Sequence, residues 1–485
     1  MIDVIILQLK SGDYIERRIK PYIPLSALSC VSKLTDKYNI KIIDLRVTKN
    51  WKKVLISYLK DNPICVGMTL KVGKYIKYGL EAAKIIRQHS NTVIVAGGIH
   101  PSLMPKQTIE NELIDIVVCG EGEDTFSELV NTLKSKKNLN LVKGIWYKEK
   151  GKIKKTSSRI STNFNNLPEI PYNLINMNNY FNENGNDREL IMETSRGCPN
   201  RCTFCYNTYV NRGKWRYLSE EKLIYRIKYL INKYKINSFA FIDDNFFTDK
   251  SRVIRFANKI IDEKINIKWS AGGLDVNTAY SLDEDFINLI EKSGCINVVI
   301  GAETGSKRIL KDLKKNGTLT KIIDFNRRIK KHKLRPNYFF CVGFPNETMD
   351  DLKHTTKLIV KLLQENNKAS IAKIFCYNPI FNEQPELINK YVNYDGCKKL
   401  EDWIKLDWKT ANFPWISKKF KKWSESLYFL SLFLDEKDES SLNNSKSRFL
   451  SKLMNIYRHV ALFRIKYNIY GFMIEKYICE KIEKI

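Results

Sequence analysis

Glu193-Thr-Ser-Arg-Gly-Cys198-Pro-Asn-Arg-Cys202-Thr-Phe204-Cys205-Tyr-Asn207 carries three cysteines in the spacing C-x3-C-x2-C, and everything else in the chain is best read outward from it. Three thiolates this close together can hold one compact soft-metal centre, and thiolates select zinc or iron–sulfur clusters over hard cations. Zinc closes its structural sites with four ligands, often as two C-x2-C pairs. No fourth Cys or His stands nearby, since the next cysteine downstream is Cys295. A cubane cluster held by three cysteines keeps one iron open to a substrate or cofactor. The spacing therefore points to chemistry rather than to a structural staple.

From residue 189 the chain alternates short apolar runs with helical patterns. Strands are expected over 189–195, 238–243, 267–272, 297–301, 337–343 and 370–376, with helices over 219–234, 249–263, 283–293, 319–333 and 349–365. Six such repeats imply a partial (β/α)6 barrel of TIM type over 188–385, with its active residues at the carboxyl ends of the strands. Those ends carry Asp243-Asp244-Asn245, Gly301-Ala-Glu303-Thr-Gly-Ser306 and Gly343-Phe-Pro345-Asn-Glu347.

The cysteine run, with Phe204 before its third cysteine, resembles the cluster loop of the radical S-adenosylmethionine (SAM) enzymes. The resemblance implies that Cys198, Cys202 and Cys205 ligate a [4Fe-4S] cluster at which SAM is reductively cleaved. It implies further that Asp243 and Asn245 meet the methionyl amino group of SAM, that Glu303 meets its ribose, and that Gly343 and Pro345 pack near its adenine. An electron donor such as flavodoxin or ferredoxin is implied as a partner. One departure is at the third strand, where relatives often carry an arginine and this chain has Gly272-Gly-Leu-Asp275. Arg196 and Arg335 are the candidate sources of the missing cation.

Residues 1–145 alternate in the same way. Strands are expected at 3–9, 41–45, 64–70, 92–98 and 114–120, which describes a parallel, doubly wound, Rossmann-like sheet. Such sheets bind ligands beyond the carboxyl ends of their strands, and there the polar and glycine residues gather: Asp44, Thr69, Gly97, Gly98 and Gly120-Glu121-Gly122-Glu123. The segments Gly97-Gly-Ile-His100-Pro and Gly120-Glu-Gly-Glu123 resemble the GG-x-HP and GE-x-E segments of the cobalamin-binding domain that precedes many radical SAM cores. Cobalamin is thus the implied cofactor, with these residues and Arg46 as its contacts. Where cobalamin proteins carry D-x-H-x-x-G, this chain reads Asp44-Leu-Arg46-Val-Thr-Lys49, without the histidine or the glycine. The resemblance implies a cobalt whose lower face lacks a histidine, suited to methyl transfer. His100, in the glycine turn, is expected to bond loop backbone if it is not a ligand.

The 485 residues are 43% hydrophobic, ample for several globular cores, and their formal charge is +29. That charge admits a nucleic-acid partner. The lysines are spread along the chain without an RNA-binding motif, however, and a solvated surface is the favoured reading. Eleven cysteines without a secretory leader, and no apolar stretch long enough to span a bilayer, point to a reducing cytoplasm. Residues 146–187 are turn-rich and read as a linker. Residues 386–485 read as lysine-rich helices with many aromatics, among them Trp403, Trp408, Trp415 and Trp423. Three roles stand open for this region: a cap on the barrel, a lining for its pocket, or a basic amphipathic contact with a membrane surface. The committed expectation is a cobalamin-dependent radical SAM methyltransferase acting on an unactivated carbon of a small-molecule, lipid or peptide substrate. The alternatives are a radical SAM cyclisation or rearrangement, and a non-catalytic cobalamin- or zinc-binding module.

Overall fold

The computed structural model describes residues 1–11, 20–184, 187–315, 317–379, 390–392, 397–406, 413–434, 445–471 and 474–477. The chain divides into two units. The first comprises Met1–Phe181 with Ile380–Gln384 and Asp395–Leu406, and the second Asn182–Pro379 with Pro385–Tyr394 and Asp407–Ile485.

In the first unit, Val4–Gln8 (β1), Ile40–Asp44 (β2), Cys65–Thr69 (β3), Val93–Gly97 (β4) and Ile116–Val118 (β5) run parallel in the order β2-β1-β3-β4-β5. Helices Leu25–Val31 (α1), Trp51–Leu59 (α2), Lys74–His89 (α3), Ile99–Leu103 (α4), Pro105–Glu110 (α5) and Gly122–Lys134 (α6) connect or follow them. The strands are continuous apolar runs because both faces of the sheet are covered. Ile5, Leu7, Val66 and Ile94, for example, are fully buried. Strand order reverses between β1 and β3, the kind of switch point at which such sheets bind ligands.

Two features depart from the sequence expectation. Ile145–Glu149 (β6) and Lys152–Lys155 (β7) form an antiparallel hairpin on the edge beside β5, inside the stretch expected as a linker. Ile145 and Tyr147 point into the core while every residue of β7 is exposed, so its lysines mask a strand and blunt an edge. The segment Cys397–Leu406, expected within a separate C-terminal helical domain, belongs to the first unit. Trp403 is buried there and donates its indole N–H to Gln107, and its carbonyl accepts from the Gly73 N–H at 3.0 Å.

The second unit is built on a sheet of six parallel strands. They are Asp187–Met192 (β9), Ser238–Phe241 (β12), Lys268–Leu274 (β13), Cys295–Glu303 (β14), Arg335–Val342 (β15) and Ser370–Cys376 (β16), each pairing with the next. Asn182–Asn184 (β8) adds antiparallel to β9, and Ser195–Arg196 (β10) with Arg216–Tyr217 (β11) forms a small ribbon. Helices Asn207–Val210 (α7), Glu220–Tyr234 (α8), Lys250–Asp262 (α9), Val276–Ser281 (α10), Glu284–Lys292 (α11), Lys307–Asp312 (α12), Leu319–Ile329 (α13) and Met349–Glu365 (α14) alternate with the strands. Several of them begin on a side-chain cap of the kind that satisfies free helix N–H groups: Ser219, Asp249, Asp283, Thr318, and the Thr348–Asp351 capping box. Phe241 packs against Phe246, Phe256 and Trp269 with ring centroids 5.1 to 5.8 Å apart, fixing β12 and β13 to α9. Lys418–Ser431 (α15) packs on β16, and Ser445–Lys466 (α16) on α14 and α15. Trp408 lies outside the described residues.

Candidate active site

The three cysteines follow β9 in a loop that the end of β12 holds in place. Gly197 turns this loop at φ 88°, and a Cβ there would sit 2.0 Å from the Lys214 carbonyl oxygen, so only glycine fits. Its N–H donates to Asp244 Oδ2 at 2.8 Å, and the Tyr206 hydroxyl donates to Asp244 Oδ1 at 2.7 Å. Asp243 is buried and accepts from the Thr194 N–H, the Thr194 hydroxyl and the Ser195 hydroxyl at 2.5 to 2.7 Å. Both acids of Asp243-Asp244-Asn245 are therefore braces for the cysteine loop. Asn245 differs. Its amide N–H lies 3.6 Å from Cys198 Sγ, and its Oδ1 is buried without a partner. On the far side, the Thr203 N–H and hydroxyl donate to the carbonyls of Leu313 and Asp312 at 3.1 and 3.0 Å, tying the loop to the end of α12.

All three thiols are free. Burial raises the thiol of Cys202 and pushes that of Cys205 up to about 12; the nearby Lys315 ammonium opposes the rise at Cys202. Cys198 adds to the rise at both, so the three sulfurs lie within one another's electrostatic reach. Among the described residues no three Cys, His, Asp or Glu side chains converge as a single ion requires. Three neighbouring thiols on one loop fit a cluster that takes each cysteine on a different iron.

Glu303 ends β14 at φ 62°, and its Oε1 accepts from Lys315 Nζ at 2.8 Å. Both side chains are only 11% exposed. Burial alone would push the Lys315 ammonium down, but Glu303 and then Cys202 hold it above the usual lysine value. Gly301 makes room for the pair, since a Cβ there would lie 2.4 Å from Glu303 Oε1 and 2.8 Å from Lys315 Nζ. Lys315 is thus a largely buried cation beside Cys202. Arg335 is exposed at the amino end of β15, the opposite end from the site. Arg196 is ion-paired with Glu193 at 2.8 Å. The third strand has glycine for a packing reason. At Gly273, φ is 78° and a Cβ would sit 2.3 Å from the Asp244 carbonyl oxygen.

At the end of β15, Gly343 turns at φ 89° and its N–H donates to Glu347 Oε2, which also accepts from the Phe344 N–H at 3.0 Å. Burial pushes the Glu347 carboxyl up to about 8 against those two bonds, and its Oε1 is buried without a partner. Pro345 is buried in this turn. Phe344 meets Phe204 of the cysteine loop edge-on at 5.9 Å. Trp415 donates its indole N–H to the Gly343 carbonyl at 3.2 Å and stacks on Phe413 at 4.7 Å. Sequence reasoning missed two residues here. Lys315 sits in an ordinary lysine-rich turn. Arg252, 1% exposed, donates to the Thr194 carbonyl at 3.2 Å behind Asp243 and stands 5.2 Å from the Tyr217 ring centroid.

The first unit presents a different picture. Arg46 closes a bidentate pair on Asp44 and also donates to the Tyr22 carbonyl, and the Tyr180 hydroxyl donates to Asp44 Oδ2 at 3.1 Å. Glu123 is buried and accepts from the Ser29 hydroxyl at 2.5 Å, joining α1 to α6. Gly122 faces Cys30, and Glu121 is the residue before α6. The Gly98 turn has φ 99° and packs on Thr69 and Leu70. Gly120 faces open space, with nothing within 4 Å of a Cβ built there, whereas a Cβ on Gly97 would rest in ordinary contact with Val118 at 3.8 Å. His100 is 2% exposed, its ring meets Trp403 edge-on at 4.9 Å, and its Nε2 is buried without a partner. Burial lowers its pKa to about 4, so the imidazole is neutral. The open Gly120 turn and the orphaned His100 Nε2 fit a large ligand carrying polar groups at its edge, which a corrinoid is.

Comparison with known proteins agrees with both units. Residues 192–359 match the model of the radical SAM superfamily, and residues 18–130 that of the B12 binding domain. An uncharacterized methyltransferase of Pyrococcus horikoshii is 33% identical over 344 residues, covering 70% of this chain and 73% of the relative. The anaerobic magnesium-protoporphyrin IX monomethyl ester cyclase of Cereibacter sphaeroides is 24% identical over 300 residues, covering 60% of this chain and only 48% of the relative. The solved structure of the cobalamin-dependent SAM radical enzyme OxsB with aqua-cobalamin bound superposes on the whole chain and on 75% of its own, with a TM-score of 0.71 at 19% identity. That likeness speaks to the fold.

Proposed function

We propose that this chain, which belongs to the B12-binding radical SAM family, transfers a methyl group from cobalamin to an unactivated carbon of its substrate. The family's two domains imply a [4Fe-4S] cluster with SAM in the barrel unit and cobalamin in the first. Cys198, Cys202 and Cys205 would hold the cluster; Gly97, Gly98, Gly120 and His100 would receive the corrinoid. When bound, the cluster and SAM supply a carbon-centred radical and cobalamin supplies the methyl group.

This chain's residues position and exclude. Asp243 and Asp244 fix the cysteine loop through its backbone and hydroxyls, leaving Asn245 Oδ1 to accept a bond from an ammonium. Lys315, held in place by Glu303, offers a cation to a carboxylate beside Cys202. Phe204, Phe344 and Trp415 cover the loop at the end of β15 and keep water from a reactive intermediate.

Residue 46 carries the methyltransferase reading. Where D-x-H-x-x-G proteins have a histidine for cobalt, Arg46 stands with its guanidinium committed to Asp44 and Tyr22. That position offers no imidazole, and a weakly ligated lower face favours passing a methyl group on. The second reading, a cyclisation or rearrangement, is favoured by the similarity to the cyclase. Holoenzyme loaded anoxically with cobalamin and given methyl-deuterated SAM separates the two. A product gaining one labelled methyl, with S-adenosylhomocysteine and 5′-deoxyadenosine formed in equal amounts, is expected. Formation of 5′-deoxyadenosine with an unmethylated product would replace the proposal with the second reading.

A further inference from the structure

Seven of the eighteen exposed large hydrophobic residues among the described residues lie between 456 and 477. Helix α16 already spends one face on the protein. Ala461 and Ile465 are fully buried, Arg458 Nε donates to the Leu434 carbonyl at 2.8 Å, and the Tyr470 ring beyond the helix meets Trp423 of α15 at 4.5 Å. The helix is thus fastened to the unit that carries it, while Arg464 and Tyr457 bond Glu475 in the segment that follows. A second apolar stripe runs along the outward face. Ile456, Val460, Phe463 and Tyr467 follow at intervals of four, three and four residues, which places them in one row, and they are 60%, 44%, 55% and 55% exposed. The rings of Phe463 and Tyr467 lie 4.6 Å apart, and the Lys466 ammonium stands 5.3 Å from the Tyr467 ring centroid. Ile474 and Tyr477, 52% and 60% exposed, extend the patch.

The charge around the stripe is one-sided. From Ser445 to Ile474 the chain has six Lys and Arg residues and no Asp or Glu, and only Arg464 of the six is spent on a carboxylate, that of Glu475, among the described residues. A second copy would bring the same positive charge against it. A nucleic acid would match the charge but leave four apolar side chains in water. An anionic bilayer surface matches both, taking the apolar row into the boundary between headgroups and acyl chains and the cations among its phosphates. We propose that the outward face of α16 is a docking surface for an anionic membrane. The contact is peripheral, since no helix among the described residues is long and apolar enough to cross a bilayer. Because α16 is packed on α14 and α15, the stripe docks as part of the barrel unit rather than by unfolding from it.

Flotation of the full-length holoenzyme with vesicles tests this. Vesicles of phosphatidylcholine mixed with phosphatidylglycerol are expected to carry the protein up, pure phosphatidylcholine much less, and added salt should weaken the binding. The variant Phe463→Ser/Tyr467→Ser should lose at least about tenfold in partition while cleaving SAM as the wild type does. Tyr225→Ser, which removes a 60% exposed ring on α8, should float as the wild type does. Absence of flotation with the mixed vesicles would overturn the proposal, as would flotation that Phe463→Ser/Tyr467→Ser leaves unchanged. A wild-type dimer dispersed by that variant, or RNA binding lost in it, would equally overturn it in favour of that partner.

Discussion

The two cofactor sites are built on opposite plans. In the barrel, charged side chains are spent on the backbone of the cysteine loop, which leaves three thiols and Asn245 Oδ1 beside the Lys315 ammonium in its pair with Glu303. In the first unit the charged side chains named by the motifs are consumed entirely inside the protein, Asp44 by Arg46 and Tyr180, Glu123 by Ser29. What is left uncommitted there is the open Gly120 turn and the buried, unpartnered Nε2 of a neutral histidine, His100. The first plan suits a small ionic centre needing point contacts. The second suits a broad, mostly uncharged macrocycle that needs close backbone approach.

The largest effect follows from removing a point contact. Cys202→Ala should abolish 5′-deoxyadenosine formation and most of the iron content, while cobalamin still binds with its wild-type spectrum. Loss of cobalamin binding in this variant would break the comparison by coupling the two sites. Lys315→Met comes next, because it leaves Glu303 charged and unpaired in a buried setting. A loss of about 3–5 kcal/mol in the stability of the barrel unit is expected in urea unfolding of the metal-free protein. Glu303→Gln/Lys315→Met should recover most of it; failure to recover would mean that the pair is not a closed unit. The smallest effect is in the first unit and is one of pH. His100 has a folded pKa lowered from 6.5 to about 4 by burial, so the unfolded state binds more protons between those values and stability falls as pH drops through them. The loss is at most about 3 kcal/mol by pH 4. In His100→Gln that share of the acid sensitivity should vanish; an unchanged pH profile would show that His100 is not buried neutral.

The barrel was legible because its four middle strands, β12 to β15, are apolar runs closed by a glycine or acid and followed by a capped helix. The hairpin at 145–155 was not, because alternate lysines on an exposed edge look like loop. Positions in the candidate site were legible, but their partners were not. Asp243 reads as a ligand contact until Thr194 and Ser195 are seen to occupy it. Nothing in Lys311, Lys314 and Lys315 marks the last as the buried one; Lys314 beside it is exposed. Arg335 was a candidate by residue type alone, and strand direction places it at the wrong end.

The return of Cys397–Leu406 to the first unit orders events in time. Gly73 at φ 78° takes the Leu406 carbonyl oxygen within 2.8 Å of where a Cβ would stand, and Trp403 covers His100. Residues 1–181 leave the ribosome without these contacts and wait for some 200 further residues, roughly 10–45 s of synthesis, before they can form. The packing around His100 is thus completed only after strands β9 to β16 have been made. Chain connectivity interleaves the two units, since α15 and α16 of the second follow Leu406 in turn.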